Sequence, residues 1–244
     1  MTTRKDKVYR QPQQQIVDFA FDDTVAAVFP DMIRRSVPGY ETVIPVTGLL
    51  AARAARAHDG AQPPLIYDLG CSLGATTLAT LRQMGDAACR MVAVDNAPAM
   101  IERARELVDD PRVAFICADI RSMDLEPAAA VTLNYVLQFL PPADRLDMLR
   151  RLRDALAPDG VLLMAEKVRF DDVQTQRDYE AAHLDYKRAN GYSELEISQK
   201  RSALENVMVV DTIDAHRERL AAAGFGRVRQ WYQCLNWASF EARP

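Results

Sequence analysis

Leu65-Ile66-Tyr67-Asp68-Leu69-Gly70-Cys71-Ser72-Leu73-Gly74 is the segment that most narrows the folds open to this chain. An apolar run ends on an acid, and a glycine turn hands the chain to Ala75-Thr76-Thr77-Leu78, which is compatible with a helix. A parallel strand buried on both faces reads as such a run, and it delivers its carboxyl end to a ligand at the start of the next helix. Gly70 and Gly74 suit close backbone approach or a positive φ. A glycine after a strand is also an ordinary turn, so the pattern needs a partner downstream. Arg90-Met91-Val92-Ala93-Val94-Asp95-Asn96 is that partner, a second apolar run ending on an acid. Asp95 follows Gly70 at close to the roughly 20-residue spacing at which an acid after the second strand meets a ribose. A carboxylate can accept both hydroxyls of a diol. Ahead of Pro98, the same residue also reads as a helix N-cap.

The alternation continues along the chain. Residues 113–117, 128–133 and 161–166 read as strands three to five, with helices near 74–84, 98–108 and 142–156. Pro158-Asp159-Gly160 reads as a tight turn. Strands alternating with helices predict an α/β fold, a parallel sheet covered on both faces with ligand above the carboxyl ends of strands one to four. Residues 228–232 and 234–240 read as a closing antiparallel pair at an edge. Upstream, 22–35 has helical spacing, with Pro30 expected to interrupt it or start a turn. Residues 36–40 form a turn, and a helix over about 41–58 carries Pro45 in its first turn or so. Residues 1–20 are polar and glutamine-rich and read as a frayed terminus. The expected organisation is a single α/β domain over 21–244, with a helical cap over 21–60. A helical insert over 171–210 reads as a lid or dimer element. There are no internal repeats.

The chain has 244 residues and a net charge of −4. A mildly acidic chain lacks the clustered cations that direct binding to long nucleic acid requires. Cys71, Cys89, Cys117 and Cys234 are far apart and have no histidine pair nearby, which argues against a zinc site and a disulfide framework, so no metal is expected. Cys117 reads as core and Cys71 as small packing in the glycine loop. The polar start does not resemble a signal peptide, and no apolar run approaches the length of a membrane span. A cytoplasmic protein with no membrane association is the expectation.

Asp119-Ile120 follows strand three, where an acid can accept from an adenine amino group with Ile120 against the ring; a solvated loop acid fits equally well. Asn134 ends strand four, facing the reactive end of a bound nucleoside or simply forming a turn. The run Asn134-Tyr135-Val136-Leu137-Gln138-Phe139-Leu140-Pro141-Pro142 places its prolines too late for an amino-directed nucleic-acid methyltransferase. His58, His183 and His216 are scattered and form no triad. Lys187, Arg188, Lys200 and Arg201 lie in the insert with Tyr192, Glu194 and Glu196. Such runs are commonly solvated helix faces. An arginine would also grip a carboxylate by a two-bond fork, although a cation is repelled by a sulfonium.

The missing third glycine argues against a plain dinucleotide fingerprint. Asp68 to Gly74 resembles motif I of class I S-adenosylmethionine (SAM) enzymes, with Ser72 where glycine is usual. Further segments resemble the carboxy-S-adenosyl-L-methionine synthase family specifically. They are Val28-Phe29-Pro30-Asp31-Met32-Ile33, Arg35-Ser36-Val37-Pro38-Gly39-Tyr40, Asn190 to Arg201, Leu204-Glu205-Asn206-Val207-Met208 and Trp231-Tyr232-Gln233-Cys234. The resemblance runs from about Phe19 to Phe240. It implies a Rossmann-like class I methyltransferase fold, with a seven-stranded, mostly parallel sheet and an antiparallel edge strand.

It also implies a reaction in which SAM and prephenate give carboxy-SAM and phenylpyruvate. A separate enzyme would then use carboxy-SAM to carboxymethylate a hydroxylated wobble uridine in tRNA. By the same resemblance the protein is a homodimer, with an arginine of one subunit reaching the other's ligand. Family binding roles fall on Tyr40, Gly70, Cys71, Ser72, Asp95, Asn96, Asp119, Ile120, Asn134 and Arg201, with Arg201 next to the new carboxylate as the catalytic residue. The rivals are an ordinary SAM-dependent methyltransferase acting on tRNA or a small molecule, and a non-catalytic SAM-binding protein.

Overall fold

Leu65–Leu69 (β1) is buried along its whole length. That burial is possible only with a sheet neighbour on each side and a helical layer on each face. In the computed structural model, which describes residues 4–13 and 17–244, β1 has all four. Its sheet neighbours are Arg90–Asp95 (β2) and Ala128–Asn134 (β4), both parallel. Val113–Cys117 (β3) extends one side and Leu156–Arg169 (β5) the other, again in parallel. Arg227–Cys234 (β7) and Trp237–Arg243 (β8) complete the order β3-β2-β1-β4-β5-β8-β7. β8 runs antiparallel to both of its neighbours. This main path has the seven strands expected. A two-residue strand, Asp211–Thr212 (β6), pairs with β5 off the path.

Alternate residues of each strand serve opposite faces, as the two-residue period of a strand requires. Ile66, Met91, Ala130 and Leu163 pack under Tyr40–Ala57 (α2) and Ala75–Met84 (α3). Tyr67, Val94, Val131, Leu133 and Leu162 pack on the other face under Arg145–Ala155 (α5) and Ile213–Ala222 (α8). Fully burying side chains of this size stabilises by about 1.5–3 kcal/mol each, and Leu163→Ala would cost about 2–5 kcal/mol. Pro98–Leu107 (α4) covers β2 and β3, and Asp23–Ser36 (α1) crosses the carboxyl end of the sheet. Val173–Ala189 (α6) and Glu194–Glu205 (α7) form the insert, and Ser193 and Glu196 make a reciprocal capping box that starts α7.

Several expectations are corrected. α1 runs unbroken through Pro30, because burial of Val25, Ala26 and Met32 against Leu73 and Met100 holds both of its halves. Pro45 lies beyond the first turn of α2, a helix that likewise continues through it. The turn at 158–160 is a bulge inside one long β5: Leu156 pairs with Ala128, and pairing resumes at Val161 with Ala130. Cys117 is exposed, not core, because β3 is an edge strand with only one neighbour. Residues 4–13 are packed, with Asp6 and Tyr9 buried, where a frayed terminus was expected. The parts of that expectation covering 1–3 and 14–16 lie outside the described residues.

Candidate active site

The backbone does three unusual things at the carboxyl ends of β1 and β4. Gly70 and Gly74 have φ of 71° and 79°, Ser72 has φ of 50°, and Tyr135 has φ of 64°. A left-handed conformation costs an L-residue roughly 1–2 kcal/mol, so Ser72 and Tyr135 mark places where the surroundings impose the shape. One cause lies in β5. Glu166 is fully buried and accepts the N–H groups of Val136 (3.1 Å), Leu137 (2.8 Å) and Gln138 (3.1 Å). It pins the chain just past β4, and burial pushes its carboxyl up to about 8. Asp68 does the same on β1. It is buried, accepts from the Thr77 hydroxyl (2.6 Å) and the Thr132 hydroxyl (2.8 Å), and ties β1 to α3 and β4.

These turns open onto a cavity of about 730 Å3, within the roughly 300–1,000 Å3 usual for small-molecule clefts. Every site residue named from the sequence lines it: Tyr40, Gly70, Cys71, Ser72, Asp95, Asn96, Asp119, Ile120, Asn134 and Arg201. Asp95 accepts the Ser72 N–H (2.9 Å) on one oxygen and the Ala97 N–H (3.0 Å) on the other. Asp95 is therefore not the helix N-cap: Ala97 holds that place with no side-chain cap bond, its N–H closes a turn onto Asp95, and each Asp95 oxygen keeps a lone pair. Burial raises the Asp95 carboxyl, and those backbone donors pull it back. Asn134 donates to the Thr76 hydroxyl (3.2 Å), while its carbonyl oxygen is buried without a partner. That orphan is an acceptor ready for a ligand N–H.

Asp119 is less free than expected. Arg121 forks onto it (3.1 Å and 2.7 Å) and holds its carboxyl below the usual range. An adenine amino group would share that acceptor. Ile120 is buried beside it. Burial pushes the Cys71 thiol far up, with Asp68 and Asp95 adding to the effect, so it is a protonated lining group and no nucleophile. Burial also pushes up the Tyr40 phenol.

The four insert cations separate. Arg188 is tied to Asp185 and Glu194 on the outer surface. Lys187, Lys200 and Arg201 line the cavity. Lys200 donates to the Ser36 hydroxyl (3.0 Å) and is pushed down to about 7, chiefly by burial. Arg201 lies on the cavity of its own chain, and none of the described residues forms an ion pair with it. Tyr192 does not line the cavity: its ring lies under Arg35, with the guanidinium carbon 3.8 Å from the centroid, and its hydroxyl donates to Asp6.

Lys167, His183, Asn236 and Trp237, which had no assigned role, line the same cavity. Lys167 had a readable signal, a charged residue following the apolar run Val161 to Ala165 near the carboxyl end of a parallel strand. His183 has no base role. Its Nε2–H donates to the Ser36 carbonyl (2.8 Å), its Nδ1 accepts from Asn236 (3.3 Å), and burial pushes it down to about 3. Phe21 stands edge-on to Phe19, Phe29 and Phe139, forming an apolar rim.

The strand order, the antiparallel β8 and the glycine loop beneath this cavity define a class I SAM-dependent methyltransferase fold. A family profile described as a methyltransferase domain matches residues 66–160. Human N-acetylserotonin methyltransferase, solved with SAM, superposes with a TM-score of 0.54 at 17% identity over 99% of this chain and 63% of that one. The mitomycin 7-O-methyltransferase structure gives 0.59 at 17% identity over 91% of this chain and 57% of that one. Within the fold, much closer sequence relatives exist. A carboxy-S-adenosyl-L-methionine synthase of Pseudomonas aeruginosa is 50% identical, covering 99% of this chain and all of the relative. One from a Geobacter species is 49% identical over 99% of both. The chain belongs to the carboxy-S-adenosyl-L-methionine synthase family.

Proposed function

We propose that the protein converts SAM and prephenate to carboxy-SAM and phenylpyruvate. The observation that carries this reading is Arg201, with no ion-pair partner among the described residues, on the same cavity as Asp95 and Asn134. A sulfonium repels a guanidinium, so the methyl end of an ordinary donor, away from its methionyl carboxylate, has no use for one. A donor that gains a carboxylate does.

SAM is a substrate here, and the fit of its site rests on the Asn134 orphan oxygen and on the cradle at Gly70, where an added Cβ would meet Val136 at 2.2 Å. Asp95 takes the ribose hydroxyls, Ile120 packs on the adenine and Asp119 accepts its amino group. The balance closes without a protein base. Prephenate loses carbon dioxide and hydroxide as its ring aromatises. The hydroxide removes a proton from the sulfonium-bound methyl, forming water, and the resulting ylide captures the carbon dioxide. Arg201 neutralises the carboxylate so formed. Phe21 and its aromatic neighbours, together with α6 and α7, keep water from quenching the ylide. The product supplies a separate tRNA carboxymethyltransferase, and the working form is a cytoplasmic homodimer. Among the described residues, no helix is long and apolar enough to cross a membrane.

The test is the mass of the nucleoside product after incubation with SAM and prephenate. A species heavier than SAM by one carbon dioxide, formed in step with phenylpyruvate, is expected. S-adenosylhomocysteine formed in step with a methylated acceptor would establish an ordinary methyltransferase instead. Arg201→Ala should lower carboxy-SAM formation and its retention by at least tenfold.

A further inference from the structure

Three cations on three different elements face the same end of the cavity: Lys167 on β5, Lys187 on α6 and Arg201 on α7. None has an ion-pair partner among the described residues. They feel one another. Lys187 is pushed down to about 8 by burial and then by the charges of Lys167 and Arg201, and Lys167 is pushed down by burial and by Arg201. The acid acting on this group is Glu180, which raises Lys167. With Lys200 and Glu205, which also line the cavity, four positive charges on β5, α6 and α7 face two negative ones. Two further donors point the same way: the Trp237 indole N–H and the Tyr135 hydroxyl both line the cavity and are buried without partners. Unpaired cations and orphan donors gathered in one cleft describe an anion site waiting for its ligand.

Arg201 already has a carboxylate in the reading above, on which this inference rests. SAM's own methionyl carboxylate and the carboxylate that prephenate keeps are the two anions left for the lysines, and SAM affinity against prephenate KM separates them. We propose that Lys167 and Lys187 form a second subsite that holds the carboxylate prephenate keeps, the one on its pyruvyl side chain. The other carboxylate leaves as neutral carbon dioxide. A fixed ammonium pair on that group would stabilise the charged ground state more than the transition state and slow its loss. The retained carboxylate keeps its charge throughout, so cations bound to it orient the ring without opposing the chemistry. The arrangement turns the departing carboxyl toward the SAM methyl.

Lys167→Met and Lys187→Met test this in the full-length protein. Each is expected to raise the KM for prephenate at least tenfold and to weaken inhibition by phenylpyruvate in parallel, while SAM affinity by calorimetry stays within twofold. Lys187→Arg, which keeps the charge, should recover most of the loss, and its thermal midpoint guards against a folding defect. Unchanged prephenate KM in both methionine variants, or an equal loss of SAM affinity, would overturn the subsite. Absence of carboxy-SAM from the unmodified protein would instead overturn the function itself, so the two failures are distinguishable.

Discussion

Gly70 carries the tightest steric demand at the site. Its φ is 71°, and a Cβ would sit 2.2 Å from Val136 Cγ2. Gly70→Ala therefore combines a left-handed penalty of roughly 1–2 kcal/mol with a clash, and it is expected to lower SAM affinity more than tenfold. Adding Val136→Ala removes the clash and leaves the backbone penalty, so the double variant should regain part of the affinity. Calorimetry on the four proteins of that cycle measures the coupling, and strict additivity would mean that Val136 is not the obstacle. The places of Gly70, Asp95 and Asn134 on the cavity were readable because they follow from the strand ends. Asp119 was half-readable. Its position was evident, but the Arg121 fork beside it follows from a rotamer that spacing does not dictate. Lys200 and Tyr192 were visible in the sequence only as members of a charged helical insert. Lys200 lines the cavity while donating to Ser36, and Tyr192 turns away from it to Asp6.

At the scale of elements, the amino-terminal segment shows how side-chain geometry overrides composition. Polar residues 4–13 are fastened to α1 and α7 without forming a helix or strand. Gln199 on α7 accepts the Gln13 N–H (2.7 Å) and donates to the carbonyls of Tyr9 (2.8 Å) and Gln11 (3.0 Å). Asp6 accepts from Tyr192 and donates its N–H to Asp31 (2.7 Å), while Arg35 reaches Asp31 and the Asn190 carbonyl. Because one amide satisfies three backbone groups, Gln199→Ala should release the strap at a cost of about 1–3 kcal/mol. Hydrogen exchange would speed up over residues 5–13 and stay unchanged in β1 and β4. Equal acceleration in the core would mean that the strap is integral to the global fold. The helices with clear apolar spacing were readable. The passage of α1 through Pro30 was not, because packing on both sides of the proline outweighs its local effect.

For the whole molecule, buried ionisable groups set how stability responds to pH. His216 is buried and pushed down to about 4, and His183 to about 3. Below pH 6.5 the unfolded chain binds protons that the folded protein refuses, so their contribution is full above 6.5 and is lost on acidification toward 4 and 3. Glu166 acts in the opposite sense. With its carboxyl raised to about 8, its contribution is lost as pH rises from 4.5 to 8. The overall curve mixes the two, so a difference is the clean observable. The stability of the unmodified protein minus that of His216→Leu, from urea midpoints, should be flat above pH 6.5 and fall between 6.5 and 4. A pH-independent difference would place His216 in contact with water.

The order of strands and helices, the cavity edge of the sheet and the acid at the end of β2 all follow from local pattern. Strand periodicity, glycine φ and proline geometry act over a few residues, and a reader of the chain has those residues side by side. Seating β8 between β5 and β7, exposing Cys117 on an edge strand and gathering Lys167, Lys187 and Arg201 at one end of the cavity depend on contacts between distant segments. Burial and charge exist only where those segments meet, so the tertiary structure alone decided which cations line the cavity without an ion-pair partner among the described residues.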